Sequence, residues 1–242
     1  MRAQGKILEV GPGDLSLTRE EAGSLLRAAE VALGEDDVAE LHRRTEGWPV
    51  GLYLSALYLR EGGSLGDAAN SFGGDHRFVS DYMEAEFLAR ISQRQPVFLA
   101  QTAVLERMCG PLCEAVLDRP EATTTLADLA RSNLLLVPLD QRGQWHRYHH
   151  LFRDMLLAQL EHQTPGLIPV LRRRAAAWHL RNDLPEEALE YSFAAEDVDG
   201  AARLVRKLYV PADRQSRIAS LQRWFRWLDE RGAIEEETLP AF

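Results

Sequence analysis

Residues 145–156, Trp145-His146-Arg147-Tyr148-His149-His150-Leu151-Phe152-Arg153-Asp154-Met155-Leu156, decide how this chain folds. Three histidines, three aromatics and two arginines crowd the point where a strand gives way to a helix. A helix start carries unpaired backbone N–H groups and the positive end of the helix dipole, so it suits an anionic phosphate. A histidine there can donate a hydrogen bond to that anion. The alternative is a capped amphipathic helix whose histidines pack or face water. The residues alone leave both readings open.

Working outward, the strand has a partner. Leu134–Leu139 reads as a first strand, Asp140-Gln141-Arg142-Gly143 as a hairpin turn and Gln144–Tyr148 as the returning strand. His150–Gln163 closes the unit as a helix. Upstream, Phe78–Ile91, Val97–Leu105, Leu112–Leu117 and Leu126–Leu129 have helical periodicity. Helices followed by a two-stranded wing predict a winged-helix domain over residues 75–163.

A helical domain is expected over 15–74. Thr18 with Glu21 three residues on is a capping box. Helical stripes continue to about residue 61, interrupted by Thr45-Glu46-Gly47-Trp48-Pro49-Val50-Gly51-Leu52. Proline is tolerated in a first helical turn, and Gly47 and Gly51 allow close backbone approach. Residues 62–74 read as a linker. Residues 5–10, GKILEV, read as one short buried strand stopped by Gly11-Pro12-Gly13. A single strand needs partners, so it pairs within the chain or ends a sheet that lies elsewhere. We assign 1–14 to it.

From 164 to 242 four apolar stripes follow one another: Leu167/Leu171/Ala175/Trp178, Leu184/Ala188/Tyr191/Ala195, Val198/Ala202/Val205/Tyr209 and Ile218/Leu221/Phe225/Leu228. Stacked helical pairs, a tetratricopeptide-like array without the strict consensus, are predicted. The fold class is mainly α.

The bulk numbers narrow the function. A 242-residue chain with 45% hydrophobic and 27% charged residues is globular and long enough for two or three domains. Its net charge of −9 gives no general attraction to nucleic acid or anionic membranes. No apolar run approaches the roughly 18 residues of a membrane span, and the start lacks the apolar stretch of a signal peptide. Cys109 and Cys113 make neither a disulfide framework nor a closed zinc site. A cytoplasmic setting and two half-buried helical thiols are expected.

Motifs of chemistry are sparse. GxxxxGK[ST] and GxGxxG are missing from the 242 residues, and no GxSxG elbow is assigned. His146, His149 and His150 lack a carboxylate or thiol arranged to complete a metal set, so no metal site and no catalytic residue are assigned. Glu20-Glu21 and Glu186-Glu187 suit helix starts. Arg172-Arg173-Arg174 reads as a solvated face. In the winged helix, the segment placed to read DNA would be Thr123–Asn133, which carries Arg131 as its one basic residue. Groove binding needs more cations than that. A packing and switching module is expected, with no direct DNA contact.

The stretches RRTEGWPVGLYLSALYLR, DYMEAEFLARI, FLAQTAVLERMCGPLCEAVL, NLLLVPLD and WHRYHHLF resemble the MalT-like, LuxR-type ATP-dependent transcriptional activators of the STAND class, the signal-transduction ATPases with numerous domains. The resemblance runs in order along nearly the whole chain. It implies a middle portion: the last strand of a nucleotide-binding core, a small helical domain, a winged helix and the start of an inducer-sensing array. Gly47-Trp48-Pro49 matches the family's GxP loop, whose proline packs on adenine. Tyr148-His149-His150 falls where relatives carry Met-His-Asp, which implies that His149 contacts the β-phosphate of ADP and that His150 begins the helix. His150 departs from the usual Asp, and the capping role is therefore open. ADP or ATP is the cofactor the resemblance implies for a full-length protein. Without Walker elements this segment is expected to bind nucleotide weakly or not at all and to catalyse nothing. Its expected partners are the nucleotide-binding core and the DNA-binding helix-turn-helix of the same parent, with self-association open. The competing reading is a stand-alone helical interaction scaffold.

Overall fold

The computed structural model describes residues 12–63, 95–131, 136–214 and 217–233. Over them the chain is mainly α-helical, with one two-stranded antiparallel sheet. Contacts divide it into two units, residues 1–107 with 128–159 and residues 108–127 with 160–242.

The first unit begins with α1 (Pro12–Leu15), α2 (Arg19–Ala28), α3 (Glu35–Thr45) and α4 (Pro49–Arg60). The capping box at α2 is present. Thr18 Oγ1 accepts from the Glu21 N–H at 3.3 Å, and the Glu21 carboxylate accepts from the Thr18 N–H at 2.8 Å. Helices α2, α3 and α4 pack on one another and bury Ala22, Leu26, Leu41, Leu52 and Ala56. Between α3 and α4 the chain reverses through Glu46 and Gly47, at φ 51° and 71°. Left-handed backbone ends a helix, and Pro49 at the first position of α4 starts the next.

Helix α5 (Gln95–Thr102) follows, and later the hairpin of β1 (Leu136–Pro138) and β2 (His146–Tyr148). The register pairs Leu136 with Tyr148, Val137 with Arg147 and Pro138 with His146. Both strands are shorter than the sequence predicts, residues 134 and 135 lying outside the described set. Pro138 has no N–H for the ladder, and the Asp140 carboxylate takes the N–H groups of Gln144 at 3.0 Å and Trp145 at 2.9 Å. Along β2, His146 and Tyr148 are buried while Arg147 is half-buried, the alternation a half-covered strand requires. The Tyr148 hydroxyl meets Thr102 Oγ1 of α5 at 2.6 Å, in the interior. Helix α8, His150–Gln163, leaves the hairpin directly.

In the second unit α6 (Gly110–Leu117) packs on α9 (Leu167–Arg181). Helices α9, α10 (Pro185–Ala194), α11 (Val198–Arg214) and α12 (Ile218–Asp229) then pack in succession. Leu189, Val205, Leu208, Leu221, Trp224 and Leu228 share one apolar cluster. Arg217–Glu186, Arg223–Glu190 and Arg231–Glu196 tie the α10 side to the α12 side. Of the three unit boundaries, one lies between α5 and α6 and the other two fall inside α7 (Ala122–Arg131) and α8.

Contacts group α6 with the array because it packs on α9, where Arg174 also donates to Val116 O at 3.0 Å. Three expectations change. The run Arg172-Arg173-Arg174 is no simple solvated face; Arg172 donates to Ala194 O at 2.7 Å, so both arginines cap helix C-terminal carbonyls. Cys109 and Cys113 are buried rather than half-buried, Cys109 as the N-cap of α6. Burial, with the neighbouring Cys109 and Glu114, pushes the Cys113 thiol well up. Finally, Pro12–Leu15 makes a helical turn within the stretch assigned to a strand and its stop, because proline suits a first helical turn. The predicted strand 5–10, residues 64–74 of the predicted linker 62–74, and the predicted helix Phe78–Ile91 lie outside the described residues.

Candidate functional site

The two motifs singled out in the sequence, about a hundred residues apart, meet in the first unit. The α3–α4 turn supplies one side. Gly47 N–H donates to His42 O at 3.1 Å, Trp48 N–H to Thr45 O at 2.8 Å, and Leu17 N–H to Gly47 O at 2.8 Å. His42 Nε2 completes this knot by donating to Leu17 O at 2.8 Å. A Cβ on Gly47 would collide with Leu17 O and meet Leu17 N and His42 Nε2 at 3.2 Å, so glycine is required here for space as well as for φ. At Gly51 a Cβ would lie 2.9 Å from Trp48 Cε3 and 3.0 Å from Leu151 Cδ1, so this glycine lets α8 close on α4.

The β2–α8 junction supplies the other side. His149 is 7% exposed, its Nε2 donates to Thr45 O at 3.0 Å, and its ring meets Trp48 edge-on at 5.6 Å between centroids. A carbonyl accepts only from a protonated nitrogen, so Nε2 carries the hydrogen. Burial lowers the His149 ionisation below its usual value despite the opposing pull of Glu46 and Thr45. The ring is then neutral near pH 7, and its buried Nδ1 is a lone-pair acceptor without a partner.

An anion already sits at this junction, and it is Glu46. Its carboxylate takes both ends of the Arg147 guanidinium at 2.7 and 2.6 Å, lies 3.2 Å from His150 Nε2, and faces the first N–H of α8 at 3.4 Å. Burial works to raise the Glu46 ionisation, but the Arg147 hydrogen bonds and the positive charge around it prevail and hold it below the usual carboxylate range. Deeper in the same helix turn, burial raises Asp154. Arg153 points away and donates to Ala103 O at 3.0 Å.

Each sequence-predicted site residue therefore has a place. Gly47 and Trp48 form the turn, Pro49 starts α4, His149 bridges turn and junction, and His150 begins α8 beside Glu46. The sequence reading missed Glu46 and Arg147, although both lie inside the quoted motifs. Opposite charges flanking two motifs that were expected to share a ligand were the available signal. His146 sits elsewhere on β2, buried, its Nδ1 also without a partner and its ionisation lowered mainly by burial. Among the described residues no group of three His, Cys, Asp or Glu side chains is placed to hold a metal, and no helix is long and apolar enough to cross a membrane.

Known proteins are similar to this chain in sequence. Residues 84–168 match the family model of the MalT winged helix domain. The serine/threonine-protein kinase PknK of Mycobacterium tuberculosis is 28% identical over 222 residues, 91% of this chain and 20% of the kinase. The HTH-type transcriptional regulators MalT of Klebsiella pneumoniae and Serratia proteamaculans are each 28% identical over 200 and 201 residues, 81% and 82% of this chain and 22% of each regulator. The chain thus spans about a fifth of the length of these relatives. It is similar to MalT over four-fifths of its length and to the MalT winged helix domain over residues 84–168.

Proposed function

We propose that this chain is the regulatory segment of a MalT-like transcriptional regulator, in which the α3–α4 turn and the β2–α8 junction together read the phosphates of a bound adenine nucleotide. The nucleotide-binding core of the parent supplies most of the site, and the helical array relays the signal of an inducer. The observation that carries this reading is the meeting of His149 with Thr45 and Trp48, since a switch of this kind needs the turn and the junction to move as one. Support also comes from the relatives. Similar segments occur in proteins named as a kinase and as transcriptional regulators, so what they share is better suited to control than to output.

His149 and His150 would face the phosphates, with Arg147 as the permanent cation beside them, and Trp48 and Pro49 would lie toward the base. The neutral imidazole offers an anion no hydrogen in the tautomer described. Phosphate contact therefore requires a second proton on His149 or the release of Thr45. In the complete parent protein, His149→Ala or His149→Leu is expected to weaken ADP retention and raise basal activity. Unchanged ADP affinity overturns the assignment. A second reading, a helical scaffold without nucleotide, is favoured by one feature: Glu46 satisfies the junction with no ligand at all. That scaffold predicts the same unchanged affinity.

A further inference from the structure

The Glu46 carboxylate occupies the place an oxyanion would take. We propose that Glu46 is a built-in competitor for that oxyanion: it holds Arg147 and the start of α8 while the site is empty, and it must leave when a phosphate group binds. The proposal rests on the nucleotide reading above and assigns the site its regulation.

Three observations support it. Glu46 adopts φ 51°, a left-handed backbone that costs a non-glycine residue about 1 kcal/mol. Strain at such a point calls for a side chain with a task, and here the task is visible. The carboxylate sits among groups that a phosphate would meet, in a forked pair with a guanidinium, 3.2 Å from an imidazole nitrogen and 3.4 Å from a helix-start N–H. Beside it, the 7%-exposed His149 keeps an unpartnered Nδ1, a bare lone pair that becomes a donor toward an oxyanion only on taking up a proton. A carboxylate has two oxygens where a phosphate has three, so exchange of one anion for the other leaves an oxygen free for a further donor.

The exchange also explains how one event could loosen the assembly. Glu46 belongs to the α3–α4 turn and Arg147 to β2, so expelling the carboxylate removes a tie between them while the incoming anion keeps the junction neutralised. A ligand that both fills the site and breaks a tie shifts the balance between two states.

The test measures binding of pyrophosphate and, separately, of ADP to the intact 242-residue chain by calorimetry. Unaltered chain is compared with Glu46→Gly, which keeps the left-handed turn and removes the carboxylate, and with Glu46→Gln, which keeps its shape. Circular dichroism verifies folding of each. If Glu46 fills the site nine-tenths of the time or more, removing it tightens pyrophosphate binding by about tenfold or more. Asp154→Asn, which neutralises a nearby acid that does not hold Arg147, changes it by less than about threefold. Equal affinity of wild type and both Glu46 variants overturns the competitor alone. An Asp154→Asn gain as large as that of Glu46→Gly also overturns it, since bulk charge then suffices. Binding of pyrophosphate by none of the chains, Glu46→Gly included, overturns the competitor, while the nucleotide reading stands or falls with ADP retention in the parent protein. If ADP and pyrophosphate gain alike, the phosphates are the competing group. If ADP alone gains, competition for phosphate is refuted.

Discussion

Replacing Gly47 with alanine should unfold the α3–α4 turn more severely than alanine at any open glycine of the chain. Three contributions add. A left-handed φ of 71° costs an alanine about 1 kcal/mol. The new methyl collides with Leu17 O, which is backbone and cannot rotate away. Moving Leu17 aside breaks its N–H bond to Gly47 O and the His42 bond to its carbonyl, both 2.8 Å, at about 1 kcal/mol each. The sum is about 3 kcal/mol, a drop of roughly 6–12 °C in melting midpoint for a domain of this size. Gly143 supplies the control. Its φ is 61° and nothing lies within 4 Å of a Cβ there, so Gly143→Ala bears the backbone contribution alone, about 1 kcal/mol. Urea and thermal unfolding, followed by tryptophan fluorescence and far-ultraviolet circular dichroism, measure both variants. The chain has two units, so the transition that moves is identified first and its m-value compared with wild type. If Gly47→Ala falls within about 0.5 kcal/mol of Gly143→Ala, the Leu17 segment yields freely and close approach does not hold this turn in place.

Three further outcomes are expected. Burial lowers His146 and His149 from the usual 6.5, so the unfolded chain takes up protons more readily than the folded one. Their contribution to stability is complete above pH 6.5 and drains away as pH falls through the folded-state values; the melting midpoint should fall from about pH 7.5 to about pH 5.5, and the slope should lessen in His149→Gln. Glu46 behaves likewise at lower pH: held below 4.5, it stabilises above 4.5 and loses that effect as pH falls through its folded value, a step that Glu46→Gly should lack. Tyr148→Phe removes the hydroxyl that meets Thr102, while Thr102 still donates to Phe98 O at 2.8 Å. The expected loss is about 1 kcal/mol in urea unfolding, and a loss above about 3 kcal/mol would show that the hydroxyl pair anchors more than itself.

Local signals were readable from the chain, and distant ones were not. Thr18 and Glu21 specify a helix start within four residues, and the structure places α2 there. The periodicity from His150 to Gln163 gives α8 its two ends, and the stripes after Pro165 give α9 to α12. Strand ends were misjudged because they depend on which N–H groups Asp140 captures, not on apolar alternation. The packing of α6 on α9 was not readable, because an apolar face suits many partners and only the fold shows which one it meets. At the site, Trp48, Pro49 and His149 stood out by type. Glu46 and Arg147 did not, since a glutamate and an arginine 101 residues apart are ordinary until the fold joins them.

The hairpin that delivers Arg147 is three residues wide on each strand. Its neighbouring side chains, Arg147 and Tyr148, are committed to opposite faces, one to Glu46 and one to Thr102. Threading β2 one position out of step would turn the guanidinium inward and the phenol toward water. A mis-threaded wing is thus penalised twice over, through a stranded cation and through a lost interior hydroxyl pair. The hairpin acts as a proofreader: the tie from Arg147 to the tryptophan-bearing turn forms only in a wing that has paired correctly.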